Sequence, residues 1–103
     1  MDINQRYSDW VKRKNRLYFA KLFSEVCCSD RRTINVLIEQ GMIPDSKVRL
    51  FLVSELYKRY IIDTVTEDNA RGDKEKTLRR VAKELHYSYE RCKTLIKNTK
   101  IGA

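Results

Sequence analysis

Glycine and proline are scarce, with three of the first and one of the second in 103 residues. Such long intervals between breakers exclude the frequent tight turns of a sandwich or barrel and favour helices. Cysteine is scarce too: three thiols, two of them adjacent at Cys27 and Cys28, make neither a disulfide framework nor a zinc-ligand spacing. A reducing cytoplasm fits that usage. No apolar run reaches the roughly 20 residues that span a bilayer, and the opening MDINQRYSDW lacks the apolar region of a signal peptide. A soluble, unexported protein with no membrane partner is therefore expected. His86 is the sole histidine, and no serine, cysteine or carboxylate is placed to complete a nucleophilic site around it. With no phosphate loop or metal motif either, neither catalysis nor a cofactor nor a metal is expected.

Positive charge is what the chain has in excess. Lys and Arg outnumber Asp and Glu by 22 to 14, a formal net charge of +8, which favours polyanionic partners and steered association. The surplus is uneven. From Arg71 to Ala103, ten basic residues face Asp73, Glu75, Glu84 and Glu90, so 10 − 4 leaves +6.

The expected fold is all-α, a small bundle of about five helices in a single domain. Residues 1–65 would form a helical support and possible dimerisation region. From about Ser8 to Cys28, Val11, Tyr18, Phe19, Leu22, Phe23 and Val26 share one side of a helix, with Tyr7 extending it at the start. Lys12, Arg13, Lys14, Arg16 and Lys21 mostly lie elsewhere, with Trp10 near the edge of that basic face, where a phosphate or a base could be met. Ser29 or Asp30 can cap a second helix with Ile34, Leu37 and Ile38 inward, ending near Gln40 at the stop supplied by Gly41. After Pro44, Asp45 or Ser46 can cap a third helix running to about Val65. Val48, Leu50, Leu52, Val53, Leu56, Tyr57, Tyr60 and Ile61 sweep a wide arc of it. Phe51 and Ile62 fall outside that arc, as a dimer seam or under a neighbouring helix. The polar TEDNARGD stretch then turns at Gly72 and caps the next helix at Asp73.

Thr77 to Lys100, TLRRVAKELHYSYERCKTLIKNTK, is the stretch around which the chain is organised. Leu78, Val81, Ala82 and Leu85 gather on one face of a first helix, and Cys92, Leu95 and Ile96 on one face of a second. The break falls at His86 to Ser88, where the Ser88 hydroxyl can cap the second helix. This arrangement resembles the helix-turn-helix of DNA-binding regulators, over about a quarter of the chain. Ala82 would be the small residue that lets the second helix cross closely, with Val81, Leu85, Tyr87, Cys92 and Leu95 at the motif's other core positions. It departs from the family pattern at His86, where a glycine usually supplies the positive φ; histidine is among the side chains that tolerate it best. A helical support ahead of a basic C-terminal motif, residues 73–100, is also loosely similar in layout to phage activators of the Mor family.

The resemblance implies a sequence-specific protein for double-stranded DNA, most simply a transcriptional regulator, and a possible two-fold homodimer. Its final helix would bring Ser88, Tyr89, Glu90, Lys93 and Thr94 to base edges, since the N-terminal residues of such a helix approach them first. Lys74, Lys76, Arg79, Arg80, Lys83, Arg91, Lys97 and Lys100 would meet phosphates. Tyr87 holds a packing position, and Cys92 behaves as a small buried hydrophobe rather than a redox switch. The rival readings are a non-catalytic helical interaction module for an acidic protein, with Phe51 or Ile62 in its groove, and an RNA-binding or recombination accessory protein.

Overall fold

The computed structural model describes residues 3–27 and 30–98, and they are all-α. Five α-helices, α1 (Ile3–Cys27), α2 (Arg31–Glu39), α3 (Asp45–Ile61), α4 (Lys74–Leu85) and α5 (Tyr89–Lys97), follow in that order, and no strand occurs among the described residues. Cys28, Ser29 and Lys100, each given a role above, lie outside them, as does the Cys27 side chain. Among the described residues no helix is long and apolar enough to cross a membrane. Two compact units are distinguished, with the boundary between Arg49 and Leu50 inside α3.

In the first unit α1 packs along α2. The buried side of α1 carries Val11, Phe19 and Leu22 as the spacing predicts, together with Ala20 and Asn15, which hydrophobic periodicity alone does not flag. Two expectations fail here. The helix begins at Ile3 rather than near Ser8, continuous with a first turn in which the Gln5 amide donates to the Asp9 carboxylate four residues on. Tyr7 and Val26, placed on the inner side by their spacing, are exposed. The reason is length: α2 has nine residues against 25 in α1, and at about 1.5 Å per residue it cannot cover both ends.

Ile34 and Ile38 are the buried residues of α2. Asp30 occupies its N-cap position without a side-chain bond. The C-terminal end is a Schellman turn: Gly41 N–H donates to the Ile38 carbonyl at 3.0 Å and Met42 N–H to Leu37 at 2.9 Å, with Gly41 at φ 73°. The α3 cap is also corrected. Pro44, not Asp45 or Ser46, accepts the first helical bond, from Val48 at 3.2 Å, and Asp45 enters the first turn, where its carboxylate pairs with Arg16 at 3.2 Å.

In the second unit, Leu52, Val53, Leu56 and Tyr57 of α3 are buried. The helix stops at Ile61, four residues short of the Val65 expected from its apolar pattern, and one 3₁₀ turn covers Ile62–Thr64. The Thr64 hydroxyl explains the stop. It donates to the Ile61 carbonyl at 2.7 Å and accepts from the Asp73 N–H at 2.7 Å, so it joins the end of α3 to the start of α4 across the polar loop. Gly72, at φ 80°, gives the loop its last turn. Phe51 is half-buried and Ile62 lies 69% exposed.

Candidate nucleic-acid interface

The geometry of the basic C-terminal region is set at its caps. The Asp73 side chain accepts from the Lys76 N–H at 3.1 Å, and Thr77, fully buried, donates its hydroxyl to the Asp73 carbonyl at 2.7 Å. One orphan donor and one buried hydroxyl are thereby satisfied, the second by a residue that the sequence pattern did not mark. From there α4 buries Leu78, Val81, Ala82 and Leu85.

At its C-terminal end His86 takes φ 58°, ψ 36°, the left-handed conformation that its place in the sequence requires. Its N–H and that of Tyr87 both donate to the Ala82 carbonyl, the latter at 3.0 Å. Ser88 returns to extended backbone and its hydroxyl accepts from the Arg91 N–H at 3.2 Å, starting α5.

Helix α5 packs on α4 and buries Cys92 and Ile96 completely. Burial pushes the Cys92 thiol up to about 11, opposed in part by the adjacent Arg91 charge. Leu95 and Tyr87, expected in the core, are half-buried; Ile96 is the deeper residue. Opposite this seam Glu90, Lys93, Thr94 and Lys97 are all exposed, at spacings of three, four and seven that place them on one side of the helix.

The other residues nominated from sequence separate into two groups. Lys76, Lys83, Lys93 and Lys97 are exposed and make no ion pair among the described residues. Lys74 is exposed as well. The arginines are engaged. Arg79 pairs with Glu75 at 2.9 Å, and its guanidinium lies 4.5 Å from the centre of the Tyr89 ring. Arg80 pairs with Asp63 at 2.9 Å and lies 3.8 Å over the Tyr60 ring, while the Tyr60 hydroxyl donates to the Glu84 carboxylate. Arg91 lies 5.8 Å from the Tyr87 ring.

Both ion pairs are more than half exposed, so each is worth no more than about 1 kcal/mol and can be exchanged for another anion. The Glu75–Arg79 pair could be read from its spacing of four; Tyr60 and Asp63, which steady Arg80 from 20 and 17 residues away, could not. No group of three or more side chains suited to a metal occurs among the described residues. Comparison of the chain with protein families, with curated proteins and with solved structures finds no match.

Proposed function

We propose that this protein is a sequence-specific binder of double-stranded DNA, a transcriptional regulator, and that α5 enters the major groove as the second helix of a helix-turn-helix. The observation that carries the reading is the outer face of α5. Glu90, Lys93, Thr94 and Lys97 stand exposed together, while Cys92 and Ile96 anchor the opposite side.

On this reading Lys93 donates to guanine O6 and N7, Glu90 accepts from cytosine N4, and the Thr94 methyl meets that of thymine. Lys76, Lys83 and Lys97 take phosphates directly, and Arg79 and Arg80 reach them by leaving pairs that cost little to open. Tyr89 reaches DNA only through the edge that Arg79 leaves open, and the Ser88 hydroxyl serves the helix cap first. Cytoplasmic residence follows from the same reading. A two-fold dimer would set two copies of α5 about one helical turn of DNA apart.

Fluorescence anisotropy on labelled duplex DNA, titrated across salt, tests this. Affinity should fall log–log with a slope of about −0.9 per phosphate contact, and Lys93→Glu/Lys97→Glu should abolish binding. Lys93→Ala should relax sequence preference, whereas Lys83→Ala should weaken all duplexes alike. Absence of binding at low salt would remove DNA as the partner.

A further inference from the structure

Outside that region, α1 carries an exposed ridge that the proposed function leaves unused. Tyr7, Trp10, Lys14, Leu17 and Lys21 recur at alternating intervals of three and four, so they form one line of exposed residues along the helix, turned away from buried Asn15 and Phe19 and bordered by buried Val11. Arg13 lies beside them. Trp10 is 46% and Leu17 59% exposed. The Tyr7 and Trp10 rings are 6.0 Å apart and tilted, and the Lys14 ammonium lies 5.1 Å from the indole centre.

Charge decides what can cover this line. Asp9 is displaced from Trp10 by about 100° around the helix and accepts the Gln5 amide at 3.0 Å; Glu25 follows a full turn after Lys21. A second copy of α1 would set lysines against lysines on the seam itself, a like-charge arrangement that coiled coils avoid. A bilayer is disfavoured because helices that lie in an interface carry their cations on the polar face, whereas Lys14 and Lys21 interrupt the apolar row itself. Two neighbouring rings with cations beyond them at Lys14 and Lys21 are instead what a strand of nucleic acid complements. Its bases present π-faces to aromatic side chains and its phosphates lie between them.

We propose that the outer ridge of α1 binds a single strand of nucleic acid, stacking a base on Trp10 beside Tyr7 and holding the adjoining phosphates with Arg13, Lys14 and Lys21. This site is separate from α5 and stands whether or not α5 reads duplex DNA.

Trp10 is the protein's only tryptophan, so its emission reports this ridge alone. The whole protein is titrated with oligothymidylate, and separately with oligouridylate, following tryptophan quenching, while anisotropy of the labelled strand follows binding. Saturable quenching that coincides with the anisotropy isotherm is expected for at least one strand, and the two arms show whether the site takes DNA, RNA or both. Trp10→Ala should weaken strand binding by about tenfold or more, and Lys14→Ala/Lys21→Ala should flatten the salt slope by about 1.4. All three positions are exposed, and circular dichroism should show the fold unchanged.

The Lys93→Glu/Lys97→Glu variant separates the two sites: it should lose duplex and keep the quench. Strand binding with no change in emission and no loss in Trp10→Ala overturns the proposal, as does strand binding lost in the α5 variant. A quench by duplex equal to that by the strand overturns the assignment to unpaired bases. An emission change with phosphatidylserine vesicles, or on raising protein concentration, with none on adding oligonucleotide, assigns the ridge to a membrane or to a second copy instead.

Discussion

Two helices end with a residue in the left-handed region, α2 at Gly41 with φ 73° and α4 at His86 with φ 58°. The turns do the same work with different means. A Cβ added at Gly41 would meet nothing within 4 Å, so only the backbone angle calls for glycine there. At His86 a full side chain occupies the same conformation, with buried Leu85 before it, half-buried Tyr87 after it and the Ser88 cap beyond. The α2 turn is written in its own residue. The α4 turn is imposed by its neighbours, which means that the direction of α5 is set by the Leu85, Cys92 and Ile96 seam more than by the turning residue.

Gly72 offers the sharpest contrast to both. It also has positive φ, at 80°, but a Cβ there would lie 2.7 Å from the Thr64 hydroxyl and 2.8 Å from the Ile61 carbonyl. Gly72→Ala combines a left-handed strain of about 1–2 kcal/mol with disruption of the Thr64 bonds to Ile61 and Asp73, each worth about 1 kcal/mol. The expected loss is about 2–4 kcal/mol in urea unfolding, the largest here. A loss under about 1 kcal/mol would mean that the loop moves aside and that Thr64 does not fix the start of α4.

The seam beneath His86 can be tested by pH. The Cys92 thiol, raised to about 11 by burial, is neutral in the folded seam, while an unfolded thiol ionises near 8.5. Stability from this group is therefore fully present below about pH 8.5 and is lost as pH rises towards 11. By pH 11 the loss reaches about 3 kcal/mol, taking about 1.4 kcal/mol per unit above pH 8.5 and less where the folded thiol itself begins to ionise. Cys92→Ala should start lower, by about 1 kcal/mol for the small cavity, and fall less steeply over the same range. Parallel curves for the two proteins would show that the thiol reaches solvent.

These contrasts separate what the residues reveal locally from what they do not. Asp73, Gly72, His86 and Ser88 could be placed in advance because caps and left-handed turns depend on a few neighbouring positions. The end of α3 could not: the apolar pattern continues through Val65, and the stop comes from a Thr64 hydroxyl whose second partner is nine residues on. Thr77 and Asn15 escaped notice because hydrophobic periodicity counts apolar side chains only, and both are polar and buried. In the basic region, charge was legible and its commitment was not. Arg79, Arg80, Lys93 and Lys97 look alike in a string of letters, but Arg80 is steadied by Tyr60 and Asp63 while Lys93 and Lys97 pair with no carboxylate among the described residues.

Gly41→Ala meets no crowding, so it should lose only the conformational term, about 1 kcal/mol. A larger loss would show that the α2 turn is packed after all and would erase its difference from Gly72.

His86→Gly is the smallest effect and the most informative about α5. Relief of the left-handed penalty favours glycine, by less than the usual 1–2 kcal/mol because histidine tolerates that region better than most side chains. Glycine's greater freedom in the unfolded chain opposes it by roughly 0.5–1 kcal/mol. The net expectation is a change within about 0.5 kcal/mol, stabilising if either. If the buried seam and not the turn sets the direction of α5, duplex affinity should also stay within about twofold, despite a turn that glycine leaves freer. A tenfold fall in affinity at unchanged stability would reverse the opening comparison, since it would make the imidazole part of what aims the helix.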